Sequence, residues 1–528
     1  MENIYLILVV VLFALAISDL IVGVSNDAVN FLNSAIGSKA APFKIIMGVA
    51  APGILFGTTF SSGMMEVARK GIFHPEHFYF SEIMIIFLAV MVTDILLLDS
   101  FNTLGMPTST TVSIVFELLG AAVSVSVIKL YSQPEAIAQI KETIGQTVNV
   151  GTFINTNKAV LIISGILLSV IVAFSVGAFV QWISRLIFSF DYSKTYKYYG
   201  AIWGSFAITA ITYFILIKGI KGSTFSGLEI NPGVTLTDWI KNSQVQILTY
   251  GFIAWVVVLQ IFKMLKINIL KVIVLTGTFA LAMAFAGNDL VNFIGVPLAG
   301  YHAFLDWSAS GASPDSYLMS GLTGKVPTEY YLLLSAGFIM VITLWVSKKA
   351  RTVIKTSIDL SRQDEGDEKF GSSLIARNIV RASIKTTQAV EKVIPAPIKK
   401  YIGKKFDTTP FKETRAKEEN PPAFDMIRAS VNLVVASILI AIGTSFKLPL
   451  STTYVTFMVA MGTSLADKAW DKEKAVYRIT GVVSVIGGWF FTAFSAFTVA
   501  FIIALLFYYG GFIAMFSMLA FVIFVVII

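Results

Sequence analysis

Runs of apolar residues, each about 18 or longer and so able to cross roughly 30 Å of hydrocarbon, recur along almost the whole chain. The pattern predicts spans at 4–22, 43–61, 83–104, 110–131, 159–190, 200–220, 245–263, 267–286, 328–347, 428–446, 452–466, 478–508 and 510–528. About twelve of these are expected to be full crossings, because 452–466 is short enough to be re-entrant. The fold class expected is therefore all-α and multi-pass, since a membrane barrel would show short alternating strands. Stretches 132–158, 221–244 and 301–327 carry few cations, whereas 185–198, 263–271, 347–428 and 467–478 are basic. Putting the basic segments inside gives a consistent alternation with the N-terminus outside; Arg69 and Lys70 are the exceptions.

Two polar motifs break the apolar pattern, and each occurs twice in the same order. The first is Asn26-Asp27-x-x-Asn30, repeated as Asn288-Asp289-x-x-Asn292; the second is "MPTSTT" at 106–111, repeated as "LPLSTT" at 448–453. Asn26 and Ser109 are 83 residues apart, Asn288 and Ser451 are 163 apart, and the excess falls mainly in the polar stretches 301–327 and 348–427. Two different motifs repeated in order point to an internal duplication. Seven crossings separate the spans that lead into the two Asn-Asp clusters, so the copies are expected to be inverted, with substrate held where broken or re-entrant helices of the two halves meet near the midplane. The expected organisation is a first repeat in 1–131, connecting helices in 132–266, the first part of a second repeat in 267–347, a large basic cytoplasmic loop in 348–427, and the remainder of the second repeat with C-terminal helices in 428–528.

Composition agrees with a membrane protein and narrows its chemistry. The 528 residues are 56% hydrophobic and 14% charged, against about 25% charged in an ordinary soluble domain, and the mean hydropathy is +0.77. With no cysteine there are no disulfides or thiolate metal sites, and His74, His77 and His302 are too scattered for a haem or zinc site. A cleavable signal peptide is not expected, because the first apolar stretch lacks a basic lead and runs into the polar cluster. Residues 348–428 hold 18 Lys/Arg and 11 Asp/Glu, which places +7 of the chain's net +8 in one loop. That location favours anionic lipid over nucleic acid. Within it, 373–394 sets Ile375, Ile379, Ile384 and Val393 near one face, as in a basic amphipathic helix on the inner leaflet or a solvated linker.

The doubled motifs dictate a particular charge problem. A proline followed by hydroxyl residues reads as a break and the start of a new helix, whose free N–H groups and partial positive charge suit an oxyanion. Ser109, Thr110, Thr111, Ser451, Thr452 and Thr453 would bind it, together with Asn26, Asn30, Asn288 and Asn292. Asp27 and Asp289 oppose that anion, and neither motif contains Lys or Arg. Positive ions must therefore enter with the substrate. Asp27, Asp289, Asn26, Asn288, Ser109 and Ser451 are hard oxygen donors suited to Na⁺ as the coupling ion, with H⁺ as the alternative. Asp94, Asp99 and Glu117 also fall within apolar spans and have no acidic counterparts in the second half, where Ala436, Ala441 and Val459 stand. They would serve a cation path or interhelical hydrogen bonds. Glu66 sits beside Arg69 and Lys70, at the membrane edge rather than in the site.

These residues resemble the inorganic phosphate transporter (PiT) family, whose G-A-N-D-V-A-N signature stands here as "VSNDAVN" and "AGNDLVN", followed by "PTSTT" and "PLSTT". The resemblance extends over essentially all the membrane portion. It implies a cation-coupled phosphate symporter, not an enzyme, in the plasma or inner membrane, with inorganic phosphate and Na⁺ bound between two repeats. Val24 replaces the first signature glycine, and Val112 and Tyr454 follow the triplets where many members carry histidine. The missing histidines favour Na⁺ over H⁺, and the departures leave room for sulfate or another tetrahedral oxyanion. A homodimer stays open.

Overall fold

The computed structural model describes residues 2–104, 108–214, 224–324, 328–360, 377, 378, 381, 395–409, 421–467 and 475–527. In the first half, helices run α1 (Glu2–Asp27), α2 (Val29–Gly37), α3 (Phe43–Thr59), α4 (Glu66–Lys70), α5 (Phe80–Thr103), α6 (Thr110–Ser132) and α7 (Thr156–Phe188). Two connecting helices follow, α8 (Ser193–Ile211) and α9 (Gln244–Met264). The second half contains α10 (Ile269–Ser310), α11 (Tyr330–Val346), α12 (Lys349–Leu360), α13 (Met426–Ser445), α14 (Thr452–Ala466) and α15 (Ala475–Ile527). The described strands are one small antiparallel hairpin, Glu229–Asn231 with Val234–Thr235, between α8 and α9.

Among the described residues, eight helical stretches are long and apolar enough to cross a membrane, and nine if the bent pair Phe43–Thr59 and Ser61–Lys70, angled by 56°, is one span. The chain is thus an all-α, multi-pass protein. Two expected spans, 478–508 and 510–528, meet in α15 at a break where Gly511 takes φ 54°, a left-handed value that suits glycine. Helix α14 has 15 residues, about 22 Å of rise, and so is shorter than the hydrocarbon layer.

The helices do not stop at the Asn-Asp clusters. The first span was expected to end at residue 22, but α1 continues to Asp27, and the ladder carries on into α2 through Ala28 N–H to Val24 O at 2.9 Å. In the second half α10 runs unbroken through Asn288 and Asp289 for 42 residues, past the expected end at 286 and into the stretch 301–327 expected to be a polar connection. Asn and Asp tend to leave helices when their side chains compete for nearby backbone; here those side chains have partners on other helices, so the backbone stays helical.

Packing interleaves the two halves. Helix α6 lies along α15, and α14 lies along α7, so each S-T-T helix is cradled by a long helix from the other half of the chain. Glycine makes both approaches close. A Cβ on Gly120 of α6 would meet the Phe497 carbonyl oxygen at 2.2 Å, and one on Gly462 of α14 would meet the Phe174 carbonyl oxygen at 2.2 Å. Gly120 and Gly462 share the 342-residue offset of the S-T-T triplets. Small residues let membrane helices approach closely where no hydrophobic force drives them together. Gly462→Ala should lower stability by about 1–3 kcal/mol through overpacking, seen as a lower melting temperature of the detergent-solubilised protein. Gly487→Ala, with nothing within 4 Å of its added Cβ, is the neutral control.

Helix α12 packs against α1, α2 and α5, with Val353 and Ile354 buried and Ser357 accepting a 2.7 Å bond from Asn33 Nδ2. The start of the segment expected to be a cytoplasmic loop is therefore docked on the first repeat. Most of the amphipathic stretch 373–394 lies outside the described residues.

Candidate functional site

The site forms where the Asn-Asp turns of α1 and α10 face the N-termini of α6 and α14. Ser109 and Ser451 are the N-caps: both have extended backbone (ψ 110° and 106°), and each hydroxyl accepts the N–H of the third residue on, Val112 or Tyr454, at 3.1 Å. The expected new helix start in each S-T-T triplet is present, although Met106 and Pro107 lie outside the described residues.

Asn26 and Asn288 hold the extended chain that leads into those helices. Asn26 Oδ1 receives Thr108 N–H at 3.2 Å, and Asn288 Oδ1 receives Leu450 N–H at 3.4 Å. A second partner completes each clasp: Asn26 Nδ2 donates to Asn102 Oδ1 at 2.8 Å, while Thr444 Oγ1 donates to Asn288 Oδ1 at 3.2 Å. Asn288 Nδ2 also donates to Leu450 O at 2.7 Å and to its neighbour Asp289 Oδ1 at 2.5 Å. Asn102 and Thr444 are again 342 residues apart. The sequence reading passed over both, and that shared offset was the signal that could have found them.

The carboxylates are bound across the repeats. Asp27 receives Thr110 Oγ1 from its own half at 2.8 Å and Thr453 Oγ1 from the other half at 3.3 Å. Asp289 receives Thr452 Oγ1 from its own half and Thr111 Oγ1 from the other half at 3.4 Å. The neighbouring amides cross as well: Asn30 Nδ2 reaches Thr452 and Thr453 at 3.1 Å each, and Asn292 Nδ2 reaches Thr110 at 3.1 Å and Thr111 at 3.0 Å. Exchanging the halves maps this network onto itself, the signature of a two-fold relation between them.

The two-fold is broken at Asn30 and Asn292. Thr456 Oγ1 donates to Asn30 Oδ1 at 3.2 Å. Its counterpart is Ile114, and Asn292 Oδ1 is left buried with no hydrogen-bond partner. Tyr454, where the resemblance expects histidine, is buried and stacks on Trp489 at 3.7 Å between ring centroids, away from the carboxylates.

Every residue expected to bind substrate or cation thus lies in one buried cluster. Asp27, Asn26, Asn288 and Asp289 are fully buried, and among the described residues the charged groups that reach Asp27 are Asp289, Asp94 and Asp19, all acidic. Among the described residues no group of three or more His, Cys, Asp or Glu is arranged to hold a metal ion. A cation here would draw on mixed oxygens from the Asp, Asn and Thr side chains and the Leu450 carbonyl, a donor set that suits a hard monovalent ion. Glu66 stands elsewhere, paired with Lys70 at 3.3 Å and Lys447 at 2.9 Å, and Asp94 and Glu117 lie deeper along α5 and α6.

No curated protein matches the chain. Among solved structures, one described as "The sodium-dependent phosphate transporter" superposes with a TM-score of 0.61 at 14% identity, covering 94% of this chain and 98% of that one; at that identity the likeness establishes the shared fold. A profile of the phosphate transporter family matches residues 23–357, which takes in both Asn-Asp clusters, the first S-T-T triplet and more than half of the chain. With the doubled motifs converging on one buried, oxygen-lined site, this chain belongs to the phosphate transporter family and is a transporter rather than an enzyme.

Proposed function

We propose that the chain is a secondary active symporter that carries inorganic phosphate together with Na⁺ across the plasma or inner membrane, both held between two inverted repeats. The observation that carries this reading is the pair Asp27 and Asp289, buried in one hydroxyl-lined cluster where the charged neighbours of Asp27 among the described residues are acidic. Phosphate would add a charge of about −1.5 to −2 to that cluster. Anion and carboxylates become compatible only when cations enter with the substrate.

The hydroxyls couple the two ligands. Thr110, Thr111, Thr452 and Thr453 now donate their protons to the carboxylates. Na⁺ binding takes over those carboxylate lone pairs, and each hydroxyl can then rotate its proton toward the phosphate while its oxygen turns to the ion. A hydroxyl donates one hydrogen, so it cannot serve the bare carboxylate and the anion at once. Cation and anion therefore stabilise each other's binding. Ser109 and Ser451 accept a backbone N–H and keep their own O–H for the phosphate. The free Asn292 Oδ1 is one more oxygen for a cation. Asn26 and Asn288, engaged with the extended chain, place the triplets rather than contact the anion.

Uptake of labelled phosphate into proteoliposomes tests the reading, with Na⁺, Li⁺ and choline gradients compared at fixed pH. Uphill, Na⁺-dependent accumulation of chemically unchanged phosphate is expected, and failure to accumulate with either a Na⁺ or a H⁺ gradient removes the reading. Accumulation driven by H⁺ alone would exchange the coupling ion and keep the symport. Ser109→Ala and Ser451→Ala should each weaken phosphate binding by about 1–3 kcal/mol, measured as a raised KM at saturating Na⁺.

A further inference from the structure

Three acids outside the central cluster share a layer of the first repeat. Asp19 lies two turns before Asn26 on α1, Asp94 two turns before Asn102 on α5, and Glu117 two turns after Thr110 on α6. The layer is therefore about 10–12 Å along the helices from the central site. All three side chains are fully buried. Both oxygens of Asp19, both oxygens of Asp94 and Oε2 of Glu117 have no hydrogen-bond partner, and Glu117 Oε1 receives Ser113 Oγ at 2.6 Å.

The same depth of the second repeat shows what the fold itself requires. The counterparts are Leu281, Ala436 and Val459, all buried and apolar. An apolar layer suffices for packing there, so the acids are an addition confined to one half. Buried carboxylates without donors are costly, and among the described residues the charged groups that reach them supply no cation. Asp19 is faced by Asp94, Glu117 and Asp27; Asp94 by Asp19, Glu117 and Asp27; Glu117 by Asp94 and Asp19. Lys129, further along α6, is taken by Glu82 at 2.6 Å.

We propose that Asp19, Asp94 and Glu117 form a proton-binding station, separate from the central site, whose protonation state sets the electric field at Asp27. Protons suit it better than a metal because the described acids are not arranged as a metal ligand set, while a proton held between facing carboxyls supplies the donor that their oxygens lack. The station carries up to three negative charges when empty and fewer when protonated. Its charge adds to that of Asp27, so releasing a proton favours cations and disfavours anions at the central site. This consequence for transport rests on the phosphate reading; the proton site itself does not.

Infrared pH-difference spectra of the purified full-length protein test the site without any transport assay. The wild type should show a protonated-carboxyl C=O band that titrates over the pH range in which the fold persists, and Asp94→Asn and Glu117→Gln should each remove part of it. Using two single variants guards against one failing to fold. In proteoliposomes at saturating Na⁺, the wild-type phosphate KM should change several-fold more with pH than that of either variant; phosphate's own titration is common to all three and cancels. A band that does not titrate, or one unchanged in both variants, means a fixed structural cross-link and overturns the proposal. So does a band abolished by Na⁺ at constant pH even in Asp27→Asn, whose central cation site is weakened, which would make a metal ion the station's occupant. Absence of phosphate uptake by the wild type would count against the symport reading alone.

Discussion

Asp27→Asn or Asp289→Asn should reduce Na⁺-driven phosphate accumulation at least about 100-fold while leaving the protein folded. A carboxylate and a monovalent cation about 4 Å apart interact by roughly 4 kcal/mol at an effective dielectric near 20, close to three factors of ten in affinity. The two threonines on each Asp donate to different oxygens; the amide keeps one acceptor for one of them and turns its NH2 toward the hydroxyl oxygen of the other, so the fold loses little. The sign of a second effect separates this mechanism from simple damage. Removing one negative charge also removes repulsion of the anion, so phosphate binding without Na⁺ should strengthen in the variant as coupled uptake disappears. Equilibrium binding of labelled phosphate to the solubilised protein, with and without Na⁺, measures it. Near-normal Na⁺-driven uptake in both variants would refute the charge-balance mechanism.

The largest stability loss should follow Arg185→Ala. Arg185 is fully buried on α7; its Nε and Nη2 donate to Asp467 at 2.7 and 2.8 Å, Nη2 donates to Asp425 at 2.6 Å, and the guanidinium lies 4.2 Å from the Phe190 ring centroid. Asp425 caps α13 by accepting Arg428 N–H at 2.9 Å, and Asp467 follows the last residue of α14. One cation thus joins α7 to the start of α13 and the end of α14. Deleting it leaves two buried carboxylates short of charge, which costs about 3–5 kcal/mol. Arg185→Lys should recover only part, because an ammonium cannot reproduce the guanidinium's forked geometry toward two acids. Thermal melting by fluorescence-detected size exclusion should show the order wild type, Lys, Ala. If Ala melts within a degree or two of wild type, the network does not hold these helices together.

Much of the architecture was legible because a membrane imposes its rules locally. A run such as 83–104 must be helical to satisfy its backbone in hydrocarbon, and α5 spans Phe80–Thr103. The S-T-T starts could be read because an N-cap needs only a hydroxyl and the N–H three residues on. Asn288 and Asp289 were harder, since local preference argues for a helix end there while their partners Leu450, Thr452 and Thr111 lie 162, 163 and 178 residues away. Asn102 and Thr444 were missed because a single amide or hydroxyl near a helix end is unremarkable until something across the bundle contacts it. Asp94, Asp99 and Glu117 stood out as acids inside apolar spans, but Asp19, two turns before Asn26 on α1, joins Asp94 and Glu117 only in three dimensions.

By itself, the sequence determined a helical membrane protein built twice from one pattern, with two acids and two hydroxyl triplets available for an anion and its cations. Those features are written in composition, spacing and repetition, which physics reads residue by residue. Only the tertiary structure decided that each Asp takes one threonine from either repeat, that α6 and α14 are each cradled by a long helix from the other half of the chain, and that three acids share one layer of one repeat. Such pairings depend on which side chains meet after helices hundreds of residues apart have packed, and local propensity carries no record of that.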